Sequence, residues 1–126
     1  MVGFVIVSHS ARLAEGVTDL ARMMARTVPI AAAGGLEDGS FGTSFEKISN
    51  AIAEVYSDDG VIMLMDMGSA VMTAEMVIES MEDRKIVMAD CPIAEGAVTG
   101  TVSAESGSSL EEILEELEQV GTQKKL

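Results

Sequence analysis

The chain contains a single histidine, His9, placed directly after the apolar run Gly3-Phe4-Val5-Ile6-Val7 and Ser8. An imidazole in water titrates at about pH 6.5, so near neutrality one ring nitrogen offers a lone pair and can act as a nucleophile. The other nitrogen then needs an acceptor that fixes the tautomer and stabilises the cation formed on attack. A carboxylate beside a catalytic histidine does this. Asp66 is the best candidate, because it closes a second apolar run, Val61-Ile62-Met63-Leu64-Met65. Its competing use is to cap the following helix, and two carboxylate oxygens allow both. For His9 the competing reading is a polar loop residue with no task, and its place between strand and helix weighs against that.

Residues suited to an anion surround this pair in the sequence. The turn Ser8-His9-Ser10 opens a helical segment, and the amides of a helix N-terminus are a ready anion site. Gly34 and Gly35 end another short apolar run. Glycines let backbone approach a phosphoryl group and form a nest of N–H donors, although two glycines also make an ordinary turn. Gly68 and Ser69, just past Asp66, offer amides and a hydroxyl. Arg12 lies three residues after His9 on the same helical face, where it can meet a phosphoryl group, meet a partner's acidic patch, or simply be solvated. One imidazole among such donors is what a phosphate-carrying histidine requires. The other familiar chemistries lack their residues. Cys91 is the only cysteine, which excludes an internal disulfide and a Cys/His zinc site. Cys91 reads as a buried or edge thiol and Asp90 as a loop cap. No GxxxxGK[ST], GxGxxG or HExxH motif is present, so no metal and no cofactor are expected.

These residues must be positioned by alternating elements. Apolar runs at 3–8, 30–33, 61–65 and 86–89 read as buried strands. Helical spacing marks 10–26, 44–56, 69–82, 93–105 and 110–119. In the first of these helices Leu13, Val17, Leu20, Met23 and Met24 form the expected dry side. The methionines at 63, 65, 67, 72, 76 and 81 read mostly as core filler, with those near Asp66, Met67 above all, available to a docking face. Strand–helix alternation predicts an α/β three-layer sandwich, with helices on both faces of a mostly parallel four-stranded sheet; the expected order is 2-1-3-4, which sets the strand ending at Asp66 beside the one ending at His9. Such a sheet brings the turns after Ser8, Met65 and Ala89 to one edge, where ligands collect in open α/β folds. One domain over 1–120 and a flexible tail over 121–126 are expected.

The net charge is −13, with eight Lys and Arg against 21 Asp and Glu. So few cations disfavour nucleic acid and an anionic membrane face. The acidity reads either as ordinary solubility or as adaptation to high salt. No apolar run approaches the roughly 18 residues of a membrane span, and the start lacks the basic flank of a signal peptide. A cytoplasmic location is the simplest expectation.

Val5-Ile6-Val7-Ser8-His9-Ser10, Leu13-Ala14-Glu15-Gly16-Val17, Ala31-Ala32-Ala33-Gly34-Gly35, Gly42-Thr43 and Met65-Asp66-Met67-Gly68-Ser69-Ala70 resemble the mannose-type enzyme IIA domains of the bacterial phosphotransferase system. The stretch from Glu95-Gly96 to Thr101-Val102-Ser103-Ala104 fits as well, so the resemblance spans about residues 1–118. It is strongest to the branch that serves dihydroxyacetone kinase, since Ser10 stands where the sugar-transport branch typically has glycine. The resemblance implies a phosphohistidine at His9, oriented by Asp66, with Ser10, Gly34, Gly35, Thr43, Gly68 and Ser69 around the phosphoryl group. It further implies HPr, a separate phosphocarrier protein, as donor, ADP held on the nucleotide-binding subunit of dihydroxyacetone kinase as acceptor, and a homodimer. Two alternatives remain at this point. One is a sugar-transport IIA that passes phosphate to a IIB domain, and the other is a non-catalytic regulator that binds an anion at the same edge.

Overall fold

A computed structural model describes all of residues 1–126. Strands and helices follow in the order β1 (Gly3–Ser8), α1 (Ala11–Met24), β2 (Ile30–Gly34), α2 (Phe45–Val55), β3 (Val61–Met65), α3 (Gly68–Ser80), β4 (Ile86–Ala89), α4 (Ile93–Glu105) and α5 (Leu110–Val120). The four strands form one sheet of order β2-β1-β3-β4, and every pairing is parallel. The strand order is the expected one, and no antiparallel strand qualifies it.

Strand periodicity sends alternate side chains to opposite faces. Phe4 and Ile6 join a core with α1, α4 and α5, whereas Val5 and Val7 join a second core with α2 and α3. β1 is therefore buried at every position, which is why it reads as an unbroken apolar run. Ser8 pairs with Gly34, and Val7 pairs with Met65. The Asp66 amide then donates to the Val7 carbonyl at 3.2 Å, which carries the β1–β3 ladder one residue past β3. That register is what brings His9 and Asp66 to the same edge.

Of the expected dry side of α1, only Val17 is buried. Ala14, Val17, Thr18 and Ala21 are buried, while Leu13, Leu20, Met23 and Met24 are exposed. The reason is how closely α1 lies on β2. A Cβ on Gly34 would come within 2.5 Å of the Ser10 carbonyl oxygen and 2.8 Å of the Ala14 Cβ. Only small residues fit such a seam, so alanines outrank leucines there. Thr18 is tolerated because its hydroxyl donates to the Ala14 carbonyl at 2.8 Å. The methionines also divide. Met63 is fully enclosed, but Met67, Met72 and Met76 are exposed, so filling the core is not their role.

Side chains from the flanking helices cover carbonyls on the outer edge of β2. Arg22 donates to the Ile30 carbonyl at 2.8 Å, and Lys47 Nζ to the Gly34 carbonyl at 3.0 Å. Cationic groups placed this way blunt an edge strand against unwanted pairing. α5 starts at a capping box in which Ser109 and Glu112 satisfy each other's amides. Residues 121–126 are exposed and continue no helix or strand, and Lys125 pairs with Glu95 at 2.7 Å. No helix is long and apolar enough to cross a membrane.

Candidate active site

His9 follows the last residue of β1, and Asp66 follows the last residue of β3. His9 Nδ1 lies 3.0 Å from Asp66 Oδ1. Three further donors fill the carboxylate. The Ser8 hydroxyl donates to Oδ2 at 2.8 Å, the His9 amide donates to Oδ2 at 3.0 Å, and the Met67 amide donates to Oδ1 at 2.8 Å. Burial alone would raise the Asp66 pKa. The hydrogen bonds from the His9 amide, the Ser8 hydroxyl and the His9 ring, with the ring's charge, outweigh it and hold the carboxyl below its ordinary value. A carboxylate can only accept, so this network assigns the ring proton to Nδ1 and leaves the lone pair on Nε2. The carboxylate is more enclosed than the ring, with side-chain exposures of 11% and 21%. The oriented group thus faces outward and the orienting group faces inward.

Nε2 meets the Ser69 hydroxyl in the first turn of α3. α3 begins after Met67, whose side chain makes no capping hydrogen bond. The first amides of a helix have no intrahelical partner, and an uncapped start leaves them to solvent or to an anion. Gly68 and Ser69 are exposed, and Gly68 has open space around its Cα. Asp66 is therefore not the cap of α3, because its oxygens serve His9, Ser8 and the Met67 amide. α1 is different. Ser10 is its N-cap, and the Ser10 hydroxyl accepts from the Leu13 amide at 3.2 Å. The Ser10 amide donates to the Ser8 hydroxyl at 3.0 Å.

The other residues singled out by the sequence have distinct places. The Gly35 amide donates to the Ser8 carbonyl at 3.1 Å, and the Gly42 amide to the His9 carbonyl at 2.9 Å. Gly34 allows the tight seam beneath α1, and Gly35 has φ +70°, a left-handed turn. The two glycines brace the backbone behind His9, and the Gly35 amide is not free for a nest of donors. The Thr43 hydroxyl shares a hydrogen bond with that of Thr73 at 2.8 Å, and Thr73 donates to the Ser69 carbonyl at 3.3 Å. This chain links the glycine-rich loop to α3. Arg12 is exposed with no ion pair, and Met67 is exposed beside Asp66. Asp90 is exposed and caps nothing. Burial, with the charges of Asp90 and Glu95, pushes the Cys91 thiol up to about 11, which makes it a poor nucleophile.

Ser8 and Thr73 belong to the site although the sequence did not single out either role. The available signal for Ser8 is a hydroxyl at the end of an otherwise apolar buried strand, since a buried polar group needs a partner. Nothing in the sequence marks Thr73, because its partner Thr43 is 30 residues away in a loop.

Fold and site together define a parallel α/β domain with an outward-facing histidine oriented by a carboxylate at the sheet edge. Residues 3–114 match the family model described as the PTS system fructose IIA component. The chain belongs to this family. It is 41% identical over 118 residues to the phosphotransferase subunit DhaM of the PTS-dependent dihydroxyacetone kinase of Lactococcus lactis, covering 94% of each chain. It is 40% identical over 121 residues to the phosphoryl donor subunit DhaM of the PEP-dependent dihydroxyacetone kinase of Escherichia coli. That match covers 90% of this chain but 26% of the longer protein. Among solved structures, EF1359, a protein of unknown function, superposes with a TM-score of 0.87 at 28% identity, covering 99% of this chain and 98% of that one.

Proposed function

We propose that this protein is a phosphohistidine relay of a dihydroxyacetone kinase system. The carrying observation is the 3.0 Å contact of His9 Nδ1 with Asp66, which leaves Nε2 as the nucleophile beside the uncapped start of α3. The Nε2 lone pair attacks the phosphorus of a phosphohistidine on HPr. The N–P bond to the donor breaks, and the donor nitrogen leaves with the electron pair. The product has a phosphoryl group on Nε2 and a proton on Nδ1, so the ring is cationic and Asp66 offsets that charge. The Ser69 hydroxyl turns from Nε2 to a phosphoryl oxygen, and the first amides of α3 hold the others. In the second step a terminal phosphate oxygen of ADP, held on the kinase's nucleotide-binding subunit, attacks the same phosphorus and the Nε2–P bond breaks.

Local donors matter because the protein's net charge of −13 repels a phosphoryl dianion at long range. Ser10, Gly34, Gly35 and Thr43 act from behind the ring, fixing the turn, the seam and the loop. Arg12 and Met67 lie on the rim where a partner docks. Donor and acceptor use one edge, so their complexes exclude each other. A cytoplasmic homodimer fits the same reading.

The test is transfer of labelled phosphate from phosphoenolpyruvate through the general phosphotransferase proteins. The protein gains acid-labile, base-stable label, and His9→Ala gains none. Absence of label on the unaltered protein overturns the relay in favour of an anion-binding regulator. The family model's description as a fructose IIA component favours a second reading, a sugar-transport IIA. Discharge of the label by a IIB domain and not by the ADP-loaded kinase subunit would establish that reading instead.

A further inference from the structure

We propose that Ser8 is a positioning residue for the relay, whose buried hydroxyl locks the Asp66 carboxylate in the orientation that keeps the His9 proton on Nδ1. The proposal rests on the reading of His9 as phosphoryl carrier, but its first readout does not require transfer. Ser8 is the last residue of β1 and is 0% exposed. Every other position of that strand is glycine or apolar. A hydroxyl at that depth is costly unless both its donor and its acceptor capacity are used. Here both are used. Oγ donates to Asp66 Oδ2 at 2.8 Å and accepts from the Ser10 amide at 3.0 Å.

The consequence follows from counting donors. Asp66 Oδ1 holds Nδ1 and the Met67 amide, whereas Oδ2 holds the Ser8 hydroxyl and the His9 amide. Nδ1 stands on a ring that must tolerate a charge change, and the two amides belong to the turns themselves. Ser8 supplies the one side-chain donor that sits on a strand, the last residue of the interior strand β1. It also ties the carboxylate to the cap of α1, because the residue whose amide it accepts is the N-cap. Without Oγ, Oδ2 keeps a single donor and the Ser10 amide loses its acceptor. The carboxylate then gains freedom to rotate about its terminal torsion, its contact with Nδ1 loosens, and the neutral ring's preference for one tautomer weakens. A merely structural plug at the strand end would affect stability and leave the tautomer unchanged.

The experiment is ¹⁵N NMR of the His9 ring in the full chain at a pH where the ring is neutral, with thermal melts as the fold control. The unaltered protein shows Nδ1 protonated and Nε2 bare. Ser8→Ala is expected to show averaged shifts from both tautomers and about tenfold slower phosphoryl transfer. Ser8→Thr, which restores a hydroxyl, is expected to recover the single tautomer and most of the rate. Should Ser8→Ala not fold, Ser8→Cys keeps the volume with a much weaker donor, and the same mixed tautomer is expected. A folded Ser8→Ala or Ser8→Cys with one tautomer and a rate within about twofold of the unaltered protein overturns the proposal. If the unaltered protein takes no label, the relay fails, and the tautomer comparison still decides whether Ser8 positions Asp66.

Discussion

Two helices begin at the edge of the sheet that carries His9 and Asp66, and they begin differently. In α1 the Ser10 hydroxyl takes the Leu13 amide, and Ser10's own amide goes to Ser8. α3 starts after Met67 without a side-chain cap and presents Ser69 to His9 Nε2. Both starts carry the positive end of a helix dipole. A start already supplied with a capping side chain stabilises the fold, whereas an uncapped start keeps its donors for a ligand. On the proposed reading, the donors for a phosphoryl group on His9 come from α3, although α1 is the helix that follows the histidine in sequence.

Substitutions can break this contrast, and the largest effect is expected at the residue that joins the two starts. In Asp66→Asn, either amide orientation aims the NH₂ group at two existing donors, since each carboxylate oxygen holds two. The ring should lose its tautomer, and transfer to His9 should fall on the order of 10³-fold, measured by rapid-quench labelling. Retention of the normal rate would remove Asp66 from the mechanism. The same variant has an acid signature. The folded-state pKa of Asp66 is lowered, so its stabilising effect is complete above the unfolded value of about 3.9 and disappears as pH falls through the folded value. Circular dichroism during acid titration should show Asp66→Asn losing less stability below about pH 4 than the unaltered protein.

The paired substitution Ser69→Ala and Ser10→Ala sharpens the contrast directly. Ser69→Ala removes a donor at the nucleophile and should slow transfer about 100-fold, with stability changed by less than about 0.5 kcal/mol. Ser10→Ala removes a cap and should cost about 1 kcal/mol in denaturant melts while the transfer rate stays within about threefold. The reverse pattern, a slow but stable Ser10→Ala, would move the phosphoryl group to α1. The smallest effect belongs to Arg12, an exposed cation without an ion pair on the first turn of α1. Arg12→Ala should reduce the rate of transfer from HPr a few-fold at low ionic strength and lose that effect near 0.5 M salt, because rim charges act through screened encounter.

Apolar patterning identifies the strands and places His9 and Asp66 just past the ends of two of them. Buried parallel strands must be apolar throughout, so β1 and β3 stand out, and parallel pairing gathers the residues after them at one place whatever the packing details. His9 and Asp66 are legible for that reason. The absence of a side-chain cap on α3, the partners of Ser8 and most of the dry side of α1 follow from how the elements pack. The leucines and methionines of α1 match a helical period, but the closeness of β2 at Gly34 selects Ala14 for the seam. The hydroxyls of Ser8, Ser10 and Ser69 are chemically alike in the sequence. Ser10 caps its own helix locally, whereas Ser8 and Ser69 meet partners some 60 residues away, and apolar patterning fixes which elements meet without fixing the ångström-scale distances a hydrogen bond needs.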